Sequence, residues 1–520
     1  MRLLAAFVFA CQLVAGAVRV AAQDEEPMPV RTTSGPYVVL AVDLNDKDDD
    51  SRAWRKVGLA ASEDYDGKLI DFDGEDWELL KTVMGKQKPE NLLVVIRPDL
   101  LDVNFHRRLL LLLRDIDEDP FVDCALGYLT GRDAKQAKAL YERSSAVRKN
   151  GFATKTWHSL GVATGIKSTI YEGKIGEAPK GAGFTGSSFY LGCRESDPDV
   201  LAFYDKATEE LSKAAVLEIT GNGDPEGIWC FDGKRNLDRS KHWAFDEAKV
   251  GQDPKGEMPR IDADRIRKLK LQNAIVWSGT CHCAVPRLVF IEDDIVSTFG
   301  RVEKTALFEL KPEKSYCIAM LDAGAAAFIA PIAANHGMSV DKEIEFAIVN
   351  GASLGEAVKS TYDDVFLQHG AKLALDFVRG GDAKKRTEPI MAGGGVNRIL
   401  IGDPALRPFA KTEHPLEKIV VEKGADVSKV SIAWKKGFHP WAWDMFGTDK
   451  SKDGRIYAKI EYMSAGAVQA TVVGKGTALS LKHAALEWYH GRTYLHLQAS
   501  GDRKTLSDKD VSADFTIKRK

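Results

Sequence analysis

The sequence predicts an α/β fold, a parallel sheet flanked by helices, followed by an all-β sandwich. Three observations carry this. Short, continuous apolar runs recur through most of the chain. Segments with helical spacing separate them. Beyond His414-Pro415 the helical periodicity gives way to strand-like runs joined by Gly- and Asp-containing turns.

Taken in order, residues 37–42 (Tyr-Val-Val-Leu-Ala-Val) lack polar alternation and read as a strand buried on both faces. Residues 91–96 repeat the signal, and 125–130 give a third strand. Helical spacing runs through 77–83, through 104–116 with Leu109–Leu113 at its centre, and through 133–143. Strands alternating with helices imply a parallel sheet covered on both faces. The pattern restarts with a strand over 156–163, a long loop to about residue 197, and a helix over 199–213.

Two further strands, 214–219 and 274–277, flank a charged stretch at 232–268. Residues 316–334 are apolar enough to resemble a membrane span, but Asp322, Gly324 and Pro331 divide them into a helix end, a turn and a strand over 325–330. Helical spacing over 344–366 carries Ser353-Leu354-Gly355-Glu356, and 399–407 closes the α/β region. The sandwich strands are expected at 419–422, 430–434, 456–462, 468–473 and 493–498.

The first 22 residues carry Arg2, then an apolar run interrupted by Gln12 and Gly16, and end in Val20-Ala21-Ala22 ahead of Gln23-Asp24-Glu25-Glu26. That is the layout of a secretory signal, so export to the exterior, periplasm or envelope is expected. A membrane anchor is the competing reading; Arg19 and the short span weigh against it. The mature chain is expected to lack a membrane span. The expected organisation is 1–22 signal peptide, 23–34 linker, 35–150 and 151–412 as two α/β subdomains, and 413–520 as the sandwich. Lys and Arg total 72 against 75 Asp and Glu, a balance that argues against nucleic acid as the main partner. Of the seven cysteines, Cys124, Cys193, Cys230, Cys281, Cys283 and Cys317 lie beyond the leader. Six scattered cysteines are no dense disulfide framework, and their pairing is not fixed by sequence.

Chemistry concentrates in two places. Gly221-Asn222-Gly223-Asp224-Pro225-Glu226-Gly227-Ile228-Trp229 follows one strand, and Ser278-Gly279-Thr280-Cys281-His282-Cys283 follows another. Open α/β sheets build sites where strand ends meet on one edge.

Four features resemble the gingipain-type cysteine proteases, which have a caspase-like fold. They are Gly221-x-Gly223 followed by Trp229, Thr280-Cys281 at a strand end, Ala323-Gly324-Ala325-Ala326-Ala327 leading into a strand, and Gly402-Asp403-Pro404-Ala405-Leu406. The resemblance runs from about residue 35 to 412, with a β-sandwich, immunoglobulin-like in type, after it. It implies an endopeptidase acting on protein or peptide substrates. Cys281 would be the nucleophile, and the N–H groups of Gly223 and Cys281 the oxyanion donors. Asn222 falls on the histidine position. An amide does not accept a proton at neutral pH, and losing a general base costs about 100- to 10,000-fold in rate.

Substitute catalytic groups are Cys283, His282, Asp224 and Glu226, with His158 and His336 as more remote candidates. If the strand persists to Cys283, the pleat turns His282 away from Cys281 and puts Cys283 on its side. Basic selectivity would need a pocket acid, and the acids at Glu177, Glu195, Asp197 and Asp199 give no assignment. The alternatives are a catalytically inactive pseudoprotease that binds peptides or proteins, and a cell-envelope scaffold.

No cofactor is required by this chemistry. Cys281-His282-Cys283 is at most half a zinc site, since no second close pair exists in the sequence. A structural calcium has two candidate loops. One is the acidic stretch Asp43-Leu44-Asn45-Asp46-Lys47-Asp48-Asp49-Asp50. The other starts at Asp449, with Ile460 where its twelfth position needs a carboxylate. Both also read as solvated loops. Trp434, Trp441 and Trp443 read either as an aromatic binding face or as filling of the sandwich core.

Overall fold

The structure, a computed structural model, describes residues 36–44, 48–164, 171–174, 184–193, 200–221, 223–229, 260–291, 306–333, 338–339, 341–379, 395–409, 417–422, 427–434, 441–444, 453–461, 471–475, 479–502 and 511–518. Its largest element is an 11-stranded sheet. β1 (Tyr37–Val42), β3 (Asn91–Val95) and β4 (Ala125–Leu129) are buried along their whole lengths, as unbroken apolar runs demand. β2 (Lys68–Phe72) is the exposed edge beside β1. Between these strands run α1 (Asp49–Asp64), α2 (Trp77–Gln87), α3 (Val103–Arg114) and, after β4, α4 (Ala134–Asn150).

Each of these helices starts on an aspartate. Asp48, Asp76, Asp102 and Asp133 accept from backbone amides three residues on, satisfying donors that the first turn leaves orphaned. The Asp48–Asp50 acids therefore begin a helix that the acidic-loop reading did not anticipate. Negative charge is favoured there by the helix dipole.

The second half holds β5 (Trp157–Thr164), β6 (Tyr171–Lys174), β7 (Ser187–Cys193), α5 (Val200–Leu211) and β8 (Val216–Gly221). The segment read as one long loop thus contains the strand pair β6–β7. A small sheet of β9 (Gly223–Asp224), β10 (Gly227–Trp229) and β11 (Arg260–Asp262) follows, then α6 (Ala263–Arg267) and β12 (Ile275–Ser278). β13 (Leu288–Ile291) pairs with β14 (Ala306–Glu309). α7 (Tyr316–Asp322), a turn at Gly324 with φ 103°, and β15 (Ala327–Pro331) realise the division read in the apolar 316–334 stretch. After β16 (Met338–Ser339) come α8 (Asp341–Val349) and α9 (Leu354–Arg379). At the start of α9, Ser353 and Glu356 cap each other's amides reciprocally, which explains their spacing. β17 (Arg398–Ile401) then inserts between β4 and β15.

The sheet order is β2-β1-β3-β4-β17-β15-β12-β8-β5-β7-β6. β17 is parallel to β4 but antiparallel to β15, so two parallel halves run in opposite directions and join at that seam. The carboxyl ends of β15, β12, β8 and β5 consequently share one edge. Those of β1, β3 and β4 open on the other.

Two antiparallel sheets form the C-terminal part. One has the order β18 (Glu417–Glu422), β19 (Val427–Trp434), β25 (Val511–Lys518), β22 (Thr471–Lys475). The other contains β20 (Trp441–Asp444), β21 (Asp453–Glu461), β24 (Arg492–Asp502) and β23 (Leu479–Tyr489), and β16 joins it from the α/β part. Among the described residues, no helix is long and apolar enough to cross a membrane.

The β23–β24 hairpin docks on the α/β part. The Trp488 amide donates to Asp119 (2.8 Å), the Tyr489 hydroxyl to the Glu90 carbonyl (2.9 Å), and Gln498 to Asp364 (2.8 Å). His496 stacks on Phe121 with ring centroids 3.8 Å apart. At the centre, Lys359 of α9 donates to both Asp363 and Glu487, and Lys459 donates to Glu487. Burial alone would raise the Glu487 carboxyl, but Lys359, Lys459 and His496 together hold it well below the usual carboxylate range. The loop before β4 works the other way. Burial, reinforced by neighbouring acids, pushes Asp119 up to about 7 and Asp123 up to about 8.

Two stability predictions follow from these opposed signs. Glu487→Gln leaves buried ammonium charge uncompensated and is expected to cost about 3–5 kcal/mol, read as a lower urea midpoint at pH 7. The wild-type contribution of Glu487 is complete above the unfolded value of about 4.3 and is lost as pH falls through the lower folded value. For Asp123 the folded value lies above the unfolded one, so its stabilising effect belongs to low pH and is lost as pH rises toward 8. Asp123→Asn is therefore expected to raise the melting temperature at pH 9 more than at pH 5. An equal change at both pH values would contradict the buried-acid account.

Candidate active site

β8 and β12 are parallel neighbours in the register Val216↔Ile275 through Ile219↔Ser278, so both strand ends open on the same edge. The Gly279 amide extends the ladder by donating to the Ile219 carbonyl (3.0 Å). The chain then leaves the sheet, and residues 281–284 form a turn in which His282 has φ 56°. A non-glycine residue in that region is strained and sits there only when its surroundings enforce it. Here the Ala284 amide donates to Pro331 (2.9 Å), the last residue of β15, and the His282 amide to Ala333 (3.0 Å), two residues beyond it. Because β12 ends at Ser278, strand alternation does not govern Cys281, His282 and Cys283, and the pleat argument made for them does not apply. Cys281 is half-buried, whereas His282 and Cys283 are buried.

On the facing side, Gly221 ends β8 and Gly223 opens the β9–β10 hairpin; Asn222 lies outside the described residues. A Cβ on Gly223 would fall 2.3 Å from the Gly227 carbonyl oxygen and 2.5 Å from Thr280 Cγ2. Only glycine allows this hairpin backbone to rest on the residue that precedes Cys281. A Cβ on Gly221 would meet Ile228 at 2.7 Å, so both glycines serve close approach.

Asp224 Oδ1 closes the hairpin tip by accepting from the amides of Glu226 (2.8 Å) and Gly227 (3.2 Å). Arg260 reaches across from β11 to Asp224 (3.2 Å) and Glu226 (3.0 Å). Burial, aided by Asp224, raises the Glu226 carboxyl, and Arg260 and Lys314 oppose the rise. Both acids are thus part of an ion-paired brace.

The start of α7 ties the two sides together. The Tyr316 amide donates to the Pro225 carbonyl (2.8 Å) and the Ser315 hydroxyl to the Val285 carbonyl (2.9 Å).

The thiols differ. Cys124, Cys281, Cys283 and Cys317 are not disulfide-bonded. Burial pushes the Cys283 thiol up to about 12, against downward pulls from Ser278 and from the charge of Arg398. Cys283 is accordingly a protonated core residue at neutral pH, and a poor substitute nucleophile.

Other candidates lie elsewhere. His158 pairs with Leu217 at the amino end of β5, about 13 Å of strand from Val162, which pairs with Gly221. It accepts from the Ser187 amide (3.2 Å) and packs edge-on to Phe189, away from the shared edge. His336, the loop acids Glu177, Glu195, Asp197 and Asp199, and the Asp449 loop before Asp453 fall outside the described residues. In the acidic stretch, Asp43 pairs with Arg97 (2.9 Å) and Asp48 caps α1.

Among the described residues, Asp363, Glu487 and His496 have metal-like spacing. The Lys359 and Lys459 ammonium groups already occupy their oxygens, which makes this an ion-pair network rather than a cation site.

Sequence reasoning missed Arg398, whose guanidinium is fully buried and donates to the Ser278 carbonyl. The available signal was a lone arginine opening the apolar run Arg398-Ile399-Leu400-Ile401.

No protein-family profile matches the sequence, and no curated protein does. A solved structure described as "Structure of Protease" is similar over 93% of this chain and 94% of its own, at 11% identity and a TM-score of 0.37. A likeness that distant carries no argument about the chemistry of this edge.

The two thiols of the turn make a direct test of this geometry. At pH 8, a small neutral alkylating reagent is expected to modify Cys281 and spare Cys283, read by peptide mass mapping. Equal modification of both in the folded protein would contradict the burial of Cys283.

Proposed function

We propose that the protein is an exported cysteine-type endopeptidase of the gingipain kind, with Cys281 as nucleophile. The proposed organisation is a signal peptide over 1–22, a linker over 23–34, α/β subdomains over 35–150 and 151–412 in a caspase-like arrangement, and an immunoglobulin-like sandwich over 413–520. One observation supports this above the others: the Gly223 backbone rests on Thr280, which brings the glycine turn against the residue before Cys281.

In the proposed reaction the Cys281 sulfur attacks a peptide carbonyl, and the resulting oxyanion takes the N–H groups of Gly223 and Cys281. Collapse expels the amine, which leaves with a proton and yields an acyl-enzyme. Water then attacks the thioester, releases the acid and restores the thiol. Peptides and proteins are the proposed substrates, and no cofactor enters any step.

Asn222 favours a second reading. An amide at the base position cannot take the thiol proton, so a pseudoprotease that binds peptides without turning them over is the alternative. Glu226, raised by burial though ion-paired to Arg260, is the proposed substitute base.

Turnover of a mixed peptide library separates the two readings. The endopeptidase reading expects cleavage that Cys281→Ala abolishes, and a gain of about 100-fold or more in Asn222→His. Cleavage that survives Cys281→Ala would eliminate the nucleophile assignment. Peptide affinity without cleavage, with activity appearing only in Asn222→His, would establish the pseudoprotease.

A further inference from the structure

The guanidinium of Arg398 is fully buried on β17, two strands away from β12. Its neighbours Ile399, Leu400 and Ile401 are the aliphatic residues that such a strand favours. An ionised side chain in that setting is costly unless its donors are well used. Its use is visible at the end of β12. Because the Gly279 amide points to Ile219 on β8, the planar trans peptide aims the Ser278 carbonyl the opposite way, toward β15. The Arg398 guanidinium meets that carbonyl. The Ser278 hydroxyl in turn accepts from the Thr280 amide (3.2 Å), the last link before Cys281.

Arg398 is itself anchored. Its carbonyl accepts from the buried Tyr362 hydroxyl of α9, and the preceding Asn397 carbonyl accepts from Ile332 (2.9 Å). Asn397 also takes a forked contact from buried Arg107 of α3 (2.8 and 3.2 Å). The Cys281 turn is therefore held directly by Pro331 and Ala333, and through Ser278 by a cation on β17, the strand whose Arg398 pairs with Pro331.

We propose that Arg398 is a positioning residue for the Cys281 turn: by holding the Ser278 carbonyl, it sets the direction in which the chain leaves β12 and presents the thiol. This rests on the endopeptidase reading. It adds that the seam between the two sheet halves, β17 against β15, supports the site. In this role Arg398 acts on the turn through Ser278 and not on substrate.

The test compares two reagents on Cys281. A peptidyl chloromethylketone needs an aligned thiol in a peptide-binding edge, while iodoacetamide needs only access. Arg398→Met, which removes the donor, is expected to lower the peptidyl labelling rate at least about tenfold with little change in the iodoacetamide rate. Arg398→Gln, which keeps an amide donor without charge, is expected to restore most of the peptidyl rate.

If Arg398→Met does not fold, Arg398→Lys carries the test, with an expected peptidyl loss of about threefold, because an ammonium lacks the planar fork. An unchanged peptidyl rate in a folded variant without the guanidinium would overturn the proposal. So would an equal loss with both reagents, which marks general loosening. A wild-type protein with no peptidyl preference over iodoacetamide would instead refute the endopeptidase reading, and this inference with it.

Discussion

The parallel pairing of β8 with β12 is the constraint on which the site depends. It fixes two strand ends side by side, and each end then departs into a turn that only its own residues permit. Gly223 has no Cβ to strike Thr280 or Gly227, and His282 accepts a left-handed backbone because Pro331 and Ala333 hold its turn. The geometry of this edge is thus set by backbone packing before any side chain takes part. α7 reinforces the arrangement by bonding to Pro225 on one side and Val285 on the other.

The second structural theme is buried charge at joints. Arg398 lies at the seam where the two sheet halves meet, and Lys359 lies where the β23–β24 hairpin meets α9. Replacing a whole buried ion pair by aliphatic residues of similar volume is often neutral or even stabilising. Their presence at joints fits a role in fixing which surfaces meet. Gly402-Asp403-Pro404 belongs to the same theme. Buried Asp403 accepts from Tyr37 and Tyr65, which ties the end of β17 back to β1 and α1.

The strands were legible in the sequence where burial on both faces makes them continuous apolar runs, as in β1, β3, β4, β8, β12 and β15. Less apolar elements escaped. β2 is an edge exposed or half-exposed over its first four residues, and α1 begins in an aspartate cluster that resembles a loop until Asp48 is seen as a cap. The insertion of β17 between β4 and β15 has no local signal, because strand order is decided by contacts far apart in sequence. At the site, the glycines and Cys281 were legible as types at strand ends. The turn that buries Cys283, the brace of Arg260 on Asp224 and Glu226, and the Arg398 support were not, since each depends on a partner from another element.

The central claim is that the Gly221–Gly223 turn and the Cys281 turn face one another across a short gap. A thiol-bridging bimane reagent, fluorescent only when it joins two cysteines, tests this in Asn222→Cys made in a Cys283→Ser background. The account predicts a fluorescent adduct whose digest links the peptide bearing residue 222 to the one bearing Cys281. Separate single-site adducts on the two peptides, with no link between them, would contradict it.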